Sequence, residues 1–513
     1  MKRIFLVIAI VCIGMITQAQ DSKKIMLPTG WALSPAGKSL ALGDLPLNMA
    51  VSKSKKLMAI TNNGQSTQSI QLINLVSNTI LDNINIDKSW LGIAFSTDEK
   101  TLYASGGNDN WILKYSIINN KLKLTDSIKL GEKWPNKISP AGICINDAKN
   151  ILYVVTKDDN SLYEVNLVSK KIMNKTALPA EAYTCVLSND NSELYISVWG
   201  AEKLVVYNTL SQKITSSINT GTHPNDLILS KNGKIIYVAN GEDNSVSVID
   251  IKNRKVLETL NCALYPNALA GSATNGVALS TDEKTLYIAN ADNNCLAVFD
   301  VTVVGNSKSK GFIPVGWYPT SVKVVGSKIY VTNGKGFSSF ANPLGPDPYN
   351  QNAQMAVQKG LLKNTKEVQY IGGLMKGTLS IINTPSEKQL GLYSAAVYEN
   401  TPYTKNNEEK SNAEIGSVIP QKVGDPSAIK HVFFIIKENR TYDQVLGDMK
   451  EGNGDPSLCL FGEKITPNQH KLAREFVLLD NFSINSRNII KSIRKGNRRH
   501  FCQIVVAFFI FSQ

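Results

Sequence analysis

Apolar and polar positions alternate along most of this chain, and one short version of the alternation recurs seven times. Each copy begins with an apolar residue, usually followed by tyrosine, and runs through alternating apolar positions into small or asparagine residues. The copies start at Leu57, Leu102, Leu152, Leu194, Ile236, Leu286 and Ile329, at nearly regular intervals. Alternation with period two predicts half-buried β-strands. Each copy is therefore predicted to be one strand of a repeated unit.

Polar turns and a second strand complete the repeated unit. Turns precede several copies, as at 96–100, 230–234 and 280–284, and another alternating strand follows, as at 245–250. A repeat of about 40 to 50 residues containing about four short strands is typical of a β-propeller blade. A single blade does not bury both of its faces, so blades stack around an axis. We therefore expect an all-β, seven-bladed β-propeller over residues 20–400.

The repeat is similar to the YVTN-type propeller repeats, most closely at 236–250 and 286–300, and the resemblance covers most of residues 25–400. Residues 25–45 form an isolated strand segment before the first full copy, and the last copy resumes at 377–383. Pairing these two segments in the seventh blade leaves no sheet edge open. Residues 334–376 are then an insertion between the second and third strands of that blade. The proline-rich core of the insertion, 342–348, favours neither strand nor helix.

Residue pairs ending in proline precede several repeats and are predicted to stand directly before the innermost strands. The pairs are Leu45-Pro46, Trp134-Pro135, Leu178-Pro179, His223-Pro224, Tyr265-Pro266 and Tyr318-Pro319. Pro135 and Pro266 lie farther ahead of the repeat that follows them than Pro46, Pro224 and Pro319 do. Two blades are therefore expected to have longer loops at this point.

The proline pairs and the insertion are expected on one face of the propeller, around a mouth of the central channel. The rings of Trp134, His223, Tyr265 and Tyr318 would then border a possible site for a ligand or an envelope partner. The alternative is that these rings pack between adjacent blades while proline sets the turn.

The character of the chain changes after a polar segment at 401–428, which is predicted to be a linker. A continuous apolar strand is predicted at 431–437, helices at 441–449 and 466–476, and another strand at 477–482. This order is typical of the opening of an α/β domain. The fold class is therefore a propeller followed by an incomplete α/β fragment at 429–485.

Three motifs in this fragment, at 438–443, 452–456 and 472–476, resemble the start of the phosphoesterase family. That family includes bacterial phospholipases C and acid phosphatases of the alkaline-phosphatase-like superfamily. The resemblance implies metal-dependent hydrolysis of phosphate esters, with Glu438 and Asn439 as ligands of a divalent metal. Both residues offer the oxygen donors that hard cations prefer.

The rest of that metal site is not evident in the sequence. The chain ends at Gln513, soon after these motifs, and residues 486–513 form a basic and then apolar tail that the family does not share. We expect a truncated and inactive phosphoesterase, with the tail arising from a shifted reading frame. The alternative for the tail is a surface anchor, although its apolar stretch at 501–511 is shorter than a membrane span.

Residues 1–19 are predicted to be a signal peptide, because Lys2 and Arg3 precede an apolar run that leads to Ala19. The mature chain is then periplasmic or extracellular and has no transmembrane helix. The formal charge of +13 falls to +5 without the eight basic residues of the signal and the tail, so a nucleic-acid partner is not expected. The six remaining cysteines have irregular spacing and are expected to be buried thiols.

The sequence leaves three functions open: a propeller with a phosphoesterase ancestry, a non-catalytic propeller that binds a ligand or partner, and an enzyme within the propeller such as a lactonase. The last is disfavoured because the propeller region has one histidine, His223, and no evident carboxylate cluster on the predicted face.

Overall fold

The computed structural model describes residues 24–27, 29–133, 135–266, 268, 270–336, 375–402, 416–422, 424–434, 440–480 and 509–511. Seven four-stranded antiparallel sheets follow one another along this chain. The first strands of neighbouring blades contact each other around a central axis. The predicted seven-bladed β-propeller is therefore confirmed.

The four strands of each blade succeed one another from the axis outward. Blades 1 and 2 consist of Pro46–Val51, Leu57–Asn62, Ser69–Asn74 and Thr79–Asn85, and of Ile93–Phe95, Thr101–Ser105, Trp111–Ile118 and Lys121–Lys129. Blades 3 and 4 consist of Pro140–Asn146, Ile151–Thr156, Ser161–Asn166 and Ile172–Ala177, and of Thr184–Leu187, Glu193–Val198, Lys203–Asn208 and Lys213–Asn219. Blades 5 and 6 consist of Pro224–Leu229, Ile235–Asn240, Ser245–Asp250 and Lys255–Asn261, and of Thr274–Leu279, Thr285–Asn290, Cys295–Asp300 and Lys308–Pro314. Blade 7 consists of Pro319–Val325, Lys328–Asn333, Lys376–Asn383 and Lys38–Asp44.

The ring closes through a strand from the beginning of the chain. Lys38–Asp44 pairs antiparallel with Lys376–Asn383, and Leu40 faces Leu379 in the register. Leu42 and Leu379 then join a core cluster that includes Met58 and Ile60 of blade 1. The expected pairing of the early segment with the last blade is confirmed, and so is the position of the insertion between the second and third strands.

Asparagines at the ends of second strands hold three of the blades together internally. The side chain of Asn240 is fully buried and donates to Ser245 Oγ at 2.9 Å and Ser247 Oγ at 3.0 Å. Asn62 and Asn333 bond in the same way to residues of their own third strands. Buried amides need such partners. The asparagine that ends the repeat is therefore a structural residue in these blades.

In part of the ring, side chains of the first strands form hydrogen bonds to the next blade. The donors and acceptors are Asn225 Nδ2 to Thr274 O at 3.3 Å, Asn275 Nδ2 to Pro319 O at 3.3 Å, Thr320 Oγ1 to Pro46 O at 2.6 Å, and Asn48 Nδ2 to Leu91 O at 2.8 Å. These four bonds link blades 5, 6, 7, 1 and 2 in sequence. They fix the geometry of the inner strands, which the candidate site depends on.

A helix that the sequence pattern did not predict follows the last blade strand. Helix α1 spans Glu387–Asn400, and the Ser386 side chain caps it by accepting from Gln389 N. It packs on the outer strand of blade 6, where Phe312 N donates to Ser394 Oγ at 2.9 Å. Its Leu390 and Val397 are buried in the cores of the propeller.

The segment at 440–480 forms a small cluster of its own. Helix α2 spans Tyr442–Leu446 with a capping box at Thr441, a 3-10 helix spans Pro456–Leu458, and helix α3 spans Pro467–Glu475. The fully buried His470 lies between Thr466 and Asp448, with its Nε2 2.8 Å from Asp448 Oδ1. Both predicted helices are present.

Of the two strands predicted beside these helices, the first is present in part and the second is not present over its described residues. Val432–Phe434 is a strand and pairs with Phe509–Phe511. The strand predicted at 477–482 is wrong over its described residues, 477–480, which have no strand pairing. Val477 and Leu479 are exposed to solvent there, because the described part of this apolar run does not pair with another strand. Within the described residues, no helix has the length and hydropathy needed to cross a membrane.

Candidate functional site

We call the face on which the first strands begin the front face, and a repeated backbone device shapes it. The residue directly before the first strand has a left-handed φ in five blades: Leu45, Ser139, His223, Ala273 and Tyr318, with φ of 50°, 52°, 56°, 51° and 66°. Positive φ is uncommon in residues other than glycine. The carbonyl of each of the five accepts a hydrogen bond from the chain just after the second strand, as in Gly241 N to His223 O at 2.9 Å.

The predicted position directly before a first strand is wrong for three of the proline pairs. Blade 3 begins at Pro140, blade 4 at Thr184 and blade 6 at Thr274, so Trp134-Pro135, Leu178-Pro179 and Tyr265-Pro266 do not directly precede their first strands. Pro140 lies as far before Leu152 as Pro224 lies before Ile236. The spacing in the sequence therefore pointed to Pro140, and the extra residues belong to a longer preceding connection.

The four rings predicted to border the ligand face have different environments. Trp134 lies outside the described residues. Tyr265 contacts Tyr398 of helix α1, with ring centroids 5.8 Å apart, and packs against the core of blades 5 and 6. Tyr265 thus has a packing role at the side of the propeller.

His223 sits at the front face between blades 4 and 5. Its ring is tilted against Trp199, with centroids 4.0 Å apart, and its Nδ1 is 3.3 Å from Glu242 Oε2. The side chain is 26 % exposed. His223 is therefore a half-covered ring that solvent still reaches.

Tyr318 occupies the equivalent position in blade 7 and is buried. Lys335 Nζ lies 4.3 Å from its ring centroid and 5.5 Å from that of Trp317. A cation over an aromatic face is attracted by the ring quadrupole. Lys335 is itself buried, so this cluster places a positive charge at the channel mouth beside blade 7.

The wall of the channel carries two charges that the repeat itself does not explain. Counted from the start of the first strand, the third residue is Asn48 in blade 1, Gly142 in blade 3, Asp226 in blade 5, Gly276 in blade 6 and Ser321 in blade 7. The fifth residue in the same blades is Ala50, Cys144, Ile228, Ala278 and Lys323. Only one residue is charged at each of these levels in these five blades, Asp226 in one and Lys323 in the other.

These two exceptional residues meet. Lys323 Nζ lies 3.7 Å from Asp226 Oδ2, and the two side chains are 28 % and 19 % exposed. Asp226 also accepts from Leu227 N at 3.0 Å and from Val277 N at 3.3 Å. Asp226 belongs to blade 5 and Lys323 to blade 7, so this ion pair joins two blades that are not neighbours in the ring.

Tyr183 of blade 4 adds a phenol to the same region. Its backbone is fixed between blades 3 and 4, because Gly142 N donates to Tyr183 O at 3.0 Å. Burial, and then the charges of Asp226 and Tyr318, raise the pKa of Tyr183 well above its ordinary value. Tyr183 is therefore a protonated hydrogen-bond donor at neutral pH.

We call Tyr183, Asp226, Tyr318 and Lys323 the channel cluster. It offers one carboxylate acceptor, one ammonium donor and two phenols. Of these four residues, only Tyr318 was predicted from the sequence. The signal that was missed is the comparison of equivalent first-strand positions, where Asp226 and Lys323 stand out.

The metal ligands predicted from the resemblance, Glu438 and Asn439, lie outside the described residues. Where the structure describes the chain, no three His, Cys, Asp or Glu side chains come together in an arrangement suited to a metal ion.

Comparison with known families agrees with the fold. The family model described as "Lactonase, 7-bladed beta-propeller" matches residues 180–335, less than half of the chain. The channel cluster lies wholly within the matched stretch. A solved structure, "Kuenenia stuttgartiensis Hydrazine Synthase", is similar with a TM-score of 0.47 and 17 % identity, over 56 % of this chain and 92 % of that one. No curated protein matches.

Proposed function

We propose that this chain is an exported ligand-binding propeller, which holds a small polar ligand in the central channel at the channel cluster. The observation that carries the proposal is the Asp226–Lys323 pair, two charges that depart from the repeat and meet 3.7 Å apart. Charged groups are costly to place in a protein wall unless they are paired. Both side chains nevertheless remain partly exposed, so a ligand has access to them.

The chemistry of the cluster indicates the class of ligand. The Asp226 carboxylate accepts hydrogen bonds from hydroxyl groups, while Lys323 and Tyr183 donate to a carbonyl or carboxylate oxygen. A compound that has both kinds of group is a polyhydroxy acid or its lactone. The match to a lactonase family model over the residues of the cluster supports this choice.

A purely structural ion pair is the competing interpretation. Exposed pairs contribute only about 0 to 1 kcal/mol to stability. Neighbouring first strands are joined by backbone-directed bonds such as Thr320 Oγ1 to Pro46 O. The pair between blades 5 and 7 skips the intervening blade, so it does not repeat that pattern and is better suited to contact a ligand.

Isothermal titration with an aldonic acid and with its lactone tests the proposal. Asp226→Asn and Lys323→Gln should each weaken binding by about tenfold or more, since hydrogen bonds to charged groups contribute about 1.5 to 3 kcal/mol. Lys170→Gln is a matched control, because Lys170 lies in the turn before the outer strand of blade 3 and pairs with Asp126 on the outer strand of blade 2. Equal affinities in all four proteins would refute the proposal.

Hydrolysis of a lactone is the second candidate function, and the family match favours it. In that reaction a water oxygen bonds to the ring carbonyl carbon, the ring C–O bond breaks, and the water proton passes to the departing oxygen. Asp226 would accept the proton, and Lys323 or Tyr183 would donate to the carbonyl oxygen. Ring opening followed by NMR should then be faster than the uncatalysed rate and should fall in Asp226→Asn.

The phosphoesterase ancestry of residues 429–485 is a separate proposal and is supported by the resemblance of its motifs alone. Glu438 and Asn439 would be retained metal ligands, but two donors make a weak site for a divalent cation, which takes six or more oxygens. We expect no hydrolysis of an aryl phosphate with or without Mg²⁺ or Ca²⁺. Metal-dependent release of the aryl alcohol would show that the fragment is an active enzyme.

Export of the chain rests on the predicted signal peptide. Sequencing of the mature protein should begin at Gln20, and the protein should be recovered from the periplasm or the medium. A mature chain that begins at Met1 in the cytoplasm would refute export.

A further inference from the structure

A cavity opens on the side of the propeller opposite the front face, where first strands turn into second strands. We call this side the back face. The cavity has a volume of about 310 Å³ and lies against blades 5, 6, 7 and 1. Its lining combines six apolar side chains with three lysines and a serine: Val51, Ile228, Ala278, Leu279, Val324, Val325, Lys53, Lys55, Lys323 and Ser52.

The lysines of this cavity are an exception among equivalent turns. The first-to-second-strand turns begin at Ser52, Ser96, Ser188, Ser230 and Ser280, and in each the serine N–H donates to the carbonyl five residues later. The fourth position of these turns has a left-handed φ and holds Lys55, Glu99, Asn191, Gly233 and Glu283. Lysine thus stands in blade 1 where two other blades have glutamate.

The third position shows the same departure in charge. It is an aspartate or asparagine in the other four turns, at Asp98, Asp190, Asn232 and Asp282, and a serine, Ser54, in blade 1. Glu99 of blade 2 supplies the missing carboxylate, because Ser54 Oγ donates to Glu99 Oε2 at 2.7 Å. Glu99 is therefore engaged with the turn itself.

The two turn lysines keep their charge available for a ligand. Within the described part of the chain, no carboxylate oxygen lies within 4.0 Å of Lys53 Nζ or Lys55 Nζ. The third lysine, Lys323, is paired with Asp226, and its Nζ lies 3.7 Å from Asp226 Oδ2. The cavity thus has two lysines from blade 1, and Ile228, Leu279 and Val324 of blades 5, 6 and 7 form its apolar wall.

We propose that this back-face cavity binds a small amphipathic carboxylate, with the carboxylate at Lys53 and Lys55 and the hydrocarbon against the apolar wall. Burial of hydrocarbon against apolar side chains is favourable, and ammonium groups favour a carboxylate over a neutral head group. A volume of about 310 Å³ equals roughly ten waters, at about 30 Å³ each in the liquid. A ligand of about ten non-hydrogen atoms, such as octanoate, therefore fits.

Binding of octanoate to the whole protein, measured by titration calorimetry, tests the proposal. Octanol of similar length serves as the neutral probe and inorganic phosphate as the anion without hydrocarbon. The site variant is Lys53→Gln with Lys55→Asn, since asparagine tolerates the left-handed φ of position 55. Lys100→Gln, in the equivalent turn of blade 2, is the matched control.

We expect octanoate to bind at least about tenfold more tightly than octanol or phosphate, and the double variant to weaken octanoate binding about tenfold, equal to about 1.4 kcal/mol. An unchanged melting temperature would show that the variant is folded. Equal binding of octanoate and octanol, an unchanged affinity in the variant, or no binding at millimolar octanoate would each overturn the proposal. The double variant leaves both Asp226 and Lys323 unaltered, so a loss of octanoate binding in it is assigned to the two turn lysines and not to the channel cluster, with which the cavity shares Lys323.

Discussion

Replacing Leu42 with alanine tests whether the early strand closes the propeller. Leu42 is 6 % exposed and packs with Leu379, Met49 and Tyr330 at the junction of blades 7 and 1. Truncating a buried leucine to alanine costs about 3 kcal/mol, within a usual range of about 2 to 5. For roughly 300 ordered residues the unfolding entropy is about 0.6 kcal/mol/K, so the melting temperature should fall by about 5 °C.

Thermal unfolding followed by circular dichroism or calorimetry measures this shift. Leu124→Ala provides the matched control, because Leu124 lies on an outer strand and is 54 % exposed. Its melting temperature should change by less than about 1 °C. If the two variants melted at the same temperature, Lys38–Asp44 would not be the closing strand and the account of the ring would be wrong.

Three further outcomes follow from polar groups whose surroundings the structure defines. Asn240→Ala should destabilise the propeller by about 1 to 3 kcal/mol in urea unfolding, because it leaves the hydroxyls of Ser245 and Ser247 without their amide partner, whereas Asn232→Ala, on an exposed turn, should have a smaller effect. Tyr183 should ionise at a higher pH than an ordinary tyrosine. The difference in absorbance near 295 nm between the wild type and Tyr183→Phe should therefore not develop until well above pH about 10. A difference that develops near pH 10 would contradict the enclosed position of Tyr183. Burial alone would raise the pKa of Asp448, but the hydrogen bonds from His470 and from Glu463 N lower this pKa overall. The ionised carboxylate therefore stabilises the 440–480 cluster above the ordinary aspartate pKa of about 3.9, and this stabilisation is lost as the pH falls below that value and through the lowered pKa. The protection factors of the helix α3 amides, corrected for the intrinsic exchange rate at each pH, should therefore fall at acid pH, and should fall less in Asp448→Asn.

The sequence pattern was sufficient for the propeller because each blade repeats the same physical requirement. Second strands such as Ile235–Asn240 bury nearly every residue, which demands the alternating apolar run and the terminal asparagine that mark the repeat. Ring closure was also predictable, since an isolated strand at the start and an incomplete last blade need each other.

Elements that depend on a single tertiary contact were not predicted correctly. Helix α1 has a capping signal in Ser386 and Gln389 and a sparse apolar face, and it gains its stability from docking on blade 6. The apolar run that begins at Val477 has strand propensity but no neighbouring strand over its described residues.

The candidate site was predictable only in part. The front-face motif located His223 and Tyr318, because proline and the left-handed residue before it leave a trace in the sequence. Asp226 and Lys323 leave no motif, and they become conspicuous only when equivalent positions of the blades are compared. Their proximity is a property of the ring, since two blades' worth of chain separates them in the sequence.

A crystal structure of the protein soaked with the aldonic acid that binds most tightly tests the central claim most directly. The account predicts that the ligand lies in the central channel, with a hydroxyl group on the Asp226 carboxylate and its acid group within hydrogen-bond distance of Lys323 or Tyr183. A ligand found away from these residues, with the Asp226–Lys323 pair undisturbed, would contradict the proposed function.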